Sequence, residues 1–110
     1  MIKRKLSKTS EFKKVFSEGR RIEGKNLIIF ILKNDYNFNR PGIIIKKETG
    51  KAVVRNKIKR WLREVFRLIN KKLSPGYDII MLAKNNIRES GYFEIYHDLE
   101  SLLYKGKLFL

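Results

Sequence analysis

The feature that most constrains the fold is a long apolar stripe in the middle of the chain. Residues 51-72 carry apolar side chains at spacings of three and four, which is the pattern of a helix with one buried side. The stripe consists of Ile58, Trp61, Leu62, Val65, Phe66 and Ile69. Ser74, Pro75 and Gly76 follow and stop the helix. The other elements must therefore supply an apolar surface that covers this stripe.

Three apolar segments around the helix predict strands of a sheet. Residues 26-33, NLIIFILK, are rich in Ile and flanked by polar turns, which is typical of a strand buried on both faces or nearly so. GIIIK at 42-46 and YDIIMLA at 77-83 are the other candidates. An Asn-rich connection that ends in Pro-Gly joins the first two segments, and it favours a hairpin between them.

Two shorter helices are predicted towards the ends of the chain. Thr9 or Ser10 can cap the first, which ends near Gly19. Ser90 can cap the last, which ends near Gly106. Their apolar sides consist of Phe12, Val15 and Phe16 in the first helix and Tyr92, Ile95, Leu99, Leu102 and Leu103 in the last.

These elements predict an α+β fold with a single domain over residues 1-110, because a chain of this length is most simply one core. The predicted order is α-β-β-(β)-α-β-α, in which a third strand before the long helix is left open. The predicted architecture is a two-layer sandwich with helices packed on one central sheet.

Composition excludes several kinds of chemistry. The chain has no Cys, so disulfides and thiolate metal sites are excluded, and the single His97 cannot build a multi-histidine zinc site. The longest apolar run, residues 27-32, is far shorter than the roughly 20 residues of a membrane span, and Met1 is not followed by a signal-peptide core. We therefore expect a soluble cytoplasmic protein with no strong metal site and no membrane partner.

The charge of the chain points to a polyanionic partner. The net charge is +15 and the pI is about 10.2, values typical of proteins that bind nucleic acid. Residues 1-25 contribute +6 and residues 40-72 contribute +10, whereas residues 26-39 are neutral and residues 73-110 sum to -1. The charge is thus concentrated in two regions of the sequence.

The long helix shows cations on its open side. Arg55, Lys59, Arg60, Arg63 and Arg67 occupy an arc of the helical wheel roughly opposite the apolar stripe. A solvated helix face is the simplest interpretation of such an arc. The alternative is a surface that binds phosphates.

The start of this helix favours the second interpretation. Arg55 and Lys57 are expected in the first turn, where a cation opposes the helix dipole at a cost of about 0.3–1 kcal/mol. A bound phosphate reverses that sign, because the free N–H groups and the dipole then act on an anion together with the side chains. Asn56 can bridge sugar or base edges, or it can serve as the helix N-cap.

The segment from Gly50 to Arg67, GKAVVRNKIKRWLREVFR, resembles the signature segment of the bacterial ribonuclease P protein component. The resemblance covers nearly the whole chain in the family's order. It runs from LSKTSEFKKVFSEG at residues 6-19 through RPG at 40-42 to YHDLESLL at 96-103.

The resemblance implies a protein subunit of ribonuclease P that binds a large catalytic RNA. Together the two would hydrolyse one phosphodiester of precursor tRNA and so create the mature 5′ end. Magnesium would be held mainly by the RNA, so no catalytic residue and no obligate protein partner is expected. The positions expected to contact RNA are Lys47, Arg55, Asn56, Lys57, Lys59, Arg60, Arg63 and Arg67.

At two places the chain departs from the family pattern, and the RNA contacts that the resemblance implies are weaker there. The family usually has Arg at the position of Lys57. Lys cannot bind a phosphate through two parallel hydrogen bonds as Arg does, so this chain has only a point charge there. The family also tends to have a Ser-rich strand end and paired lysines before the glycine. Here Ile44 and Glu48 occupy that stretch, and only Lys47 keeps its place.

The resemblance further implies that the single-stranded 5′ leader binds a cleft between the first helix and the sheet. Phe12, Phe16 and Phe30 match this cleft, with Lys13 and Lys14 beside them. Stacking on aromatic rings holds unpaired bases without reading their sequence. Ordinary core packing is the alternative role of each Phe.

The fold that the resemblance implies is similar to the second domain of a ribosomal protein and contains a left-handed β-α-β crossover, where generic topology predicts a right-handed one.

Three other functions would suit parts of the sequence. A ribosomal or other structural RNA-binding protein would share the charge and fold but not the motif from Gly50 to Arg67. A helix-turn-helix DNA binder would need two closely coupled helices around the basic one. A stand-alone nuclease would need a carboxylate cluster or a base beside a nucleophile, whereas Glu94 and Asp98 are better interpreted as solvated surface.

Overall fold

The computed structural model describes residues 4–110. Its helices are α1 (Thr9–Glu18), α2 (Ala52–Asn70) and α3 (Tyr92–Lys105). Its strands are β1 (Arg20–Glu23), β2 (Leu27–Lys33), β3 (Arg40–Ile44) and β4 (Tyr77–Ala83). Short 3₁₀ turns occupy Lys47–Thr49 and Asn85–Glu89. The predicted α+β class is confirmed. The strand left open before the long helix exists, and it is β1.

The sheet has the order β1-β2-β4-β3. β2 is antiparallel to both β1 and β4, whereas β3 is parallel to β4. The predicted hairpin between residues 26-33 and 42-46 is therefore wrong, because β4 lies between β2 and β3. β3 and β4 are parallel neighbours connected through α2, which is the β-α-β unit for which the resemblance implies a left-handed crossover.

The Asn-rich connection holds the start of β4, and this is why it forms no hairpin. Asn39 accepts a hydrogen bond from the Tyr77 N–H at 2.8 Å, and its amide donates to Asn70 at 2.8 Å. The Asn34 amide donates to the Asp78 carboxylate at 2.8 Å. The connection thus passes the start of β4 and leads to β3 at the far edge of the sheet.

The two faces of the sheet are covered differently. On one face the inward side chains of β2 and β4 pack against α2 and α3 in the main core. On the other face α1 packs with Val15 fully buried against Ile80 of β4. β2 shows the difference directly, since Ile29 is fully buried on the first face whereas Phe30 is half-buried on the second.

The two short helices begin one or two residues away from the predicted caps. Lys8 precedes α1, so Thr9 and Ser10 lie inside its first turn. Gly91 precedes α3, and the Ser90 hydroxyl instead donates to Asn26 at 2.9 Å. Both helices end as predicted, at Gly19 and Gly106.

An acidic residue in the first turn satisfies the free N–H groups at each helix start. The Glu11 carboxylate accepts from the N–H groups of Ser7 at 3.1 Å and Lys8 at 2.9 Å. Glu94 accepts from the Gly91 N–H at 3.0 Å. The predicted hydroxyl caps are therefore absent, and each carboxylate instead accepts from the N–H of the N-cap residue.

A buried ion pair links α1 to the two parallel strands. The Arg40 guanidinium donates two hydrogen bonds to Asp78, at 2.8 and 2.7 Å, and both residues are less than a tenth exposed. A third bond reaches Glu11 at 2.7 Å. These bonds, chiefly those to Asp78, raise the pKa of the Arg40 guanidinium. The N–H groups of Lys8 and Ser7, with a smaller contribution from Arg40, lower the pKa of Glu11 to about 2.

We predict that Glu11→Gln flattens the acid limb of the stability curve. A carboxyl with a lowered pKa stabilises the fold above its unfolded value, and that stability is lost as the pH falls from about 4.5 to about 2. Urea unfolding followed by circular dichroism should show the wild-type free energy of unfolding approaching that of Glu11→Gln across this window. Glu18→Gln, two turns further along the same side of α1, is the control. Its free energy of unfolding should change with pH in the same way as that of the wild type.

Candidate RNA interface

The basic helix begins earlier than its sequence suggested. Lys51 is the N-cap of α2 and Ala52 its first residue. Arg55 is therefore the fourth helical residue and Lys57 lies in the second turn, so the prediction that both stand in the first turn is wrong for Lys57. Asn56 is inside the helix and exposed, which excludes its alternative role as N-cap. The cation that opposes the helix dipole most directly is Lys51.

A row of cations follows the outer side of α2. This row, here the cationic ridge, consists of Arg55, Lys57, Lys59, Arg60, Arg63 and Arg67. Four members are exposed, whereas Arg55 and Lys59 are half-buried and flank the apolar stripe. The apolar stripe is buried as predicted apart from Trp61, which is half-buried. The predicted arc opposite the stripe is thus correct for Arg60, Arg63 and Arg67.

Some cations of the ridge already have partners within the chain. Arg55 donates to the Gly50 carbonyl at 3.1 Å, and the Lys57 ammonium lies 5.0 Å from the Trp61 ring centroid. Arg67 pairs with Glu64 at 2.7 Å, and this hydrogen bond lowers the pKa of Glu64. The pair is exposed, so a phosphate can replace the carboxylate without uncovering a buried charge.

The middle of the ridge is open. Among residues 4–110, Lys59, Arg60 and Arg63 take part in none of the ion pairs. Arg60 and Arg63 are also exposed, and both extend from the same rigid helix. Two guanidinium groups held in this way can form bidentate hydrogen bonds to successive phosphates of a polyanion.

Lys47 lies just before the ridge in the chain. It begins the 3₁₀ turn Lys47–Thr49 and is exposed, as is Glu48 beside it. The buried Thr49 hydroxyl donates to Asn85 at 3.1 Å, which fixes the turn against the segment that follows β4. The turn therefore presents a cation and an anion side by side.

The predicted leader residues form an aromatic face on the other side of the sheet. This aromatic face consists of Phe12, Phe16 and Phe30. Phe16 and Phe30 meet edge to face with ring centroids 4.7 Å apart, and Phe16 is 39% exposed. Phe12 lies directly on β3, because a Cβ at Gly42 would stand 2.8 Å from its ring. Phe12 and Phe30 therefore support the fold, whereas Phe16 also presents a ring to solvent.

A half-buried apolar row that the sequence did not indicate continues the aromatic face. Ile28, Leu82 and Ile44 are register neighbours across β2, β4 and β3, on the same side of the sheet as Phe30. On β2 and β4 these positions alternate with fully buried ones, and that alternation is the signal that could have identified Ile28 and Leu82. The row extends the apolar floor of the cleft towards the end of β3.

The ridge and the aromatic face occupy opposite sides of the sheet, but only a short connection in the sequence separates the strand of one from the helix of the other. β3 ends at Ile44, and residues 45-51 lead from there to the start of α2. The start of α2 therefore follows in the chain from the strand end where Ile44 lies in the apolar row. Lys13 and Lys14 are exposed on α1, which covers the same face.

The acidic residues have structural roles. The Asp98 carboxylate accepts hydrogen bonds from the N–H groups of Lys25 at 3.2 Å and Asn26 at 2.8 Å. Asp98 is also half-buried, so its prediction as solvated surface is wrong. Residues 4–110 contain no group of three His, Asp or Glu side chains placed to hold a metal ion. No helix in the same range is long and apolar enough to cross a membrane.

A family model described as Ribonuclease P matches residues 2–107. The chain belongs to the ribonuclease P protein family. The ribonuclease P protein component of Alkaliphilus oremlandii is 43% identical over 104 residues, which are 94% of this chain and 91% of that protein. That of Clostridium botulinum is 37% identical over 110 residues, with 99% of each chain covered.

Solved structures of the family have the same fold. The Staphylococcus aureus ribonuclease P protein superimposes with a TM-score of 0.91 at 27% identity, covering 99% of this chain and 100% of that one. The Thermotoga maritima protein gives 0.85 at 29% identity, covering 94% and 97%. Membership of the ribonuclease P family places this chain in a tRNA-processing ribonucleoprotein, so its partner is RNA.

We predict that Arg60→Ala combined with Arg63→Ala weakens RNA binding and makes it less dependent on salt. Each phosphate contact that is lost removes about 0.7–0.9 from the slope of log affinity against log salt concentration. Filter binding of ribonuclease P RNA at several salt concentrations measures this slope. Lys25→Ala combined with Lys105→Ala removes the same charge from exposed positions off the ridge and should leave the slope nearly unchanged. Equal slopes for both double variants would contradict the prediction.

Proposed function

We propose that this chain binds the catalytic RNA subunit of ribonuclease P through the cationic ridge and the 5′ leader of precursor tRNA through the aromatic face. The assembly then removes the leader by magnesium-dependent cleavage of one phosphodiester. The observation that carries the proposal is the pair Arg60 and Arg63, which are exposed, without ion-pair partners in the described chain, and located in the motif that the family shares.

Contacts with the RNA subunit would be mainly electrostatic. The exposed guanidinium groups of Arg60 and Arg63 grip phosphates, Asn56 offers both a donor and an acceptor to sugar or base edges, and Lys57 supplies a point charge. When RNA binds, a phosphate replaces the Glu64 carboxylate as the ion-pair partner of Arg67. The free N–H groups at the start of α2, next to Lys51, favour an anion at the same end.

The leader would be held by stacking and by local charge. Phe16 presents a ring that Phe30 supports from below, and the apolar row beside them can receive further bases. Lys13 and Lys14 neutralise phosphates as the strand crosses α1. A contact of this kind is tolerant of sequence, as an enzyme that processes many precursors requires.

The chemistry itself is assigned to the RNA. Magnesium ions held mainly by the RNA subunit would activate the attacking water and stabilise the leaving oxygen. The protein's contribution is to neutralise phosphate repulsion between two RNA molecules and to fix the leader, and hence the scissile bond, relative to the RNA.

We predict that cleavage requires both subunits at near-physiological salt. Purified protein with magnesium should leave a 5′-labelled precursor tRNA intact. Addition of the ribonuclease P RNA encoded in the same genome should release the leader at a single position, visible on a sequencing gel. The combined Arg60→Ala and Arg63→Ala variant should need more protein to reach the same rate. Cleavage by the protein alone would overturn the proposed function.

We predict that Phe16→Ala weakens binding of precursor tRNA more than binding of mature tRNA, because only the precursor carries a leader. Loss of one stacked base reduces affinity by about 1–3 kcal/mol. Fluorescence titration of the reconstituted holoenzyme with both RNAs measures the difference. Phe16→Leu keeps apolar bulk against Phe30 and should behave like Phe16→Ala, whereas Phe16→Tyr should retain binding. Equal losses for precursor and mature tRNA would indicate damage to the fold.

A further inference from the structure

A second group of aromatic rings lies beside the ridge, where α2 meets the start of α3. This aromatic cluster consists of Trp61 on α2 and of Tyr92 and Phe93, the first two residues of α3. The Trp61 and Tyr92 centroids are 6.1 Å apart with the rings at 85°, and those of Tyr92 and Phe93 are 5.4 Å apart at 86°. Successive edge-to-face contacts thus fix each ring against the next.

The rings differ in their exposure. Trp61 and Tyr92 are half-buried and pack against the main core, whereas Phe93 is 73% exposed. The buried side of α3 consists of Ile95, Leu99, Leu102 and Leu103. Phe93 is outside this set, so packing of the helix does not explain an apolar ring at this position. The cluster presents one open ring on a rigid aromatic base.

A cation of the ridge borders the cluster. The Lys57 ammonium lies 5.0 Å from the Trp61 centroid. Trp61 in turn contacts Tyr92, so Lys57 and the two rings form one continuous set of contacts. Lys57 and Arg67 are ten residues apart, or roughly 15 Å along the helix axis. The ridge is thus connected to Phe93 through Trp61 and Tyr92, and the cluster lies beside its Lys57 end.

We propose that Phe93, supported by Tyr92 and Trp61, stacks an unpaired base of the RNA bound along the cationic ridge. The inference rests on the proposed function and adds a contact on α3, outside both the ridge and the aromatic face. The Lys57 ammonium against Trp61 favours RNA over an apolar protein surface, because a cation at the cluster can pair with a phosphate next to a stacked base. Every base offers a π face, so the contact needs no particular sequence.

The RNA bound along the ridge is the catalytic RNA subunit, so the base is assigned to that RNA, and precursor tRNA is the alternative source that the test must exclude. The two sources are separated by measuring the affinity of the protein for ribonuclease P RNA alone, and then the affinity of the reconstituted holoenzyme for precursor tRNA. A loss confined to the first measurement assigns the base to the RNA subunit. A loss confined to the second would overturn the proposal, because the base would then belong to the precursor.

The decisive comparison is Phe93→Ala against Tyr104→Ala. Tyr104 is also 73% exposed on α3. It is eleven residues further along, so it lies on the same side of the helix about 16 Å from Phe93. The two substitutions thus remove a ring of similar exposure from one helix at two distances from the ridge. Thermal unfolding and the emission of Trp61, the single Trp of the chain, report whether each variant is folded.

We expect Phe93→Ala to weaken binding of ribonuclease P RNA by about 5- to 100-fold, and Tyr104→Ala to change it less than about twofold. The salt slope should stay at the wild-type value, because stacking releases no counterions. Phe93→Trp should restore or tighten binding.

Equal affinities of Phe93→Ala and Tyr104→Ala in both measurements would overturn the inference. A loss accompanied by a lower salt slope would overturn it as well, since the substitution would then have displaced cations of the ridge. The combined Arg60→Ala and Arg63→Ala variant separates the two proposals. If that variant binds weakly while Phe93→Ala binds normally, only stacking at Phe93 fails, whereas normal binding by both variants removes the proposed function itself.

Discussion

The ion pair between Arg40 and Asp78 determines where the outer elements of this fold lie. The two residues are register partners on neighbouring parallel strands, and both are nearly buried. Loss of one charge would leave the other buried without a partner, at a cost of about 3–5 kcal/mol, so the pairing of β3 with β4 is strongly constrained. A third N–H of Arg40, on Nη1, bonds Glu11, which also accepts backbone hydrogen bonds at the start of α1. One guanidinium thereby fixes both the edge strand and the helix that crosses it.

That anchor sets the geometry of the aromatic face. α1 is held at its start by Glu11 and by the bond from the Leu6 N–H to the Pro41 carbonyl at 2.9 Å. Two residues after Arg40, Gly42 leaves the space that Phe12 fills. Phe16, one turn later, then meets Phe30 on the opposite side of the sheet from α2. An ionic contact that touches no RNA therefore positions the rings proposed to bind it.

The helices could be predicted from sequence much better than the pairing of the strands. The stripe of α2 and the ends of α1 and α3 follow from local spacing and from glycines, which act within one helical turn. β1 has the sequence RRIE, in which only Ile22 packs against the main core. It therefore lacks the apolar run by which the other strands were predicted. The parallel pairing depends on a contact between residues 38 apart in the chain, and no local pattern reports a contact of that range.

In the candidate interface, too, the local features could be predicted from sequence and the tertiary ones could not. The wheel predicts that Arg60 and Arg63 face outward, because exposure on a helix follows from its period. The period also assigned Trp61 to the buried stripe, yet its ring is half-buried because α3 covers only one side of it, and Lys57 borders the rest. Which side of Trp61 stays open depends on how α3 crosses α2, a tertiary property that no single segment encodes.

The separation of the ridge from the aromatic face suits the proposed function for an electrostatic reason. A protein that binds two RNA molecules must reduce the repulsion between their phosphates, and cations on a single face would draw both to the same place. Here the sheet keeps the two surfaces apart. RNA bound on the ridge and RNA bound beside α1 would therefore meet near residues 45-51, the connection between β3 and α2. Lys46, Lys47 and Lys51 lie in that connection, so its charge would act on both RNAs at once.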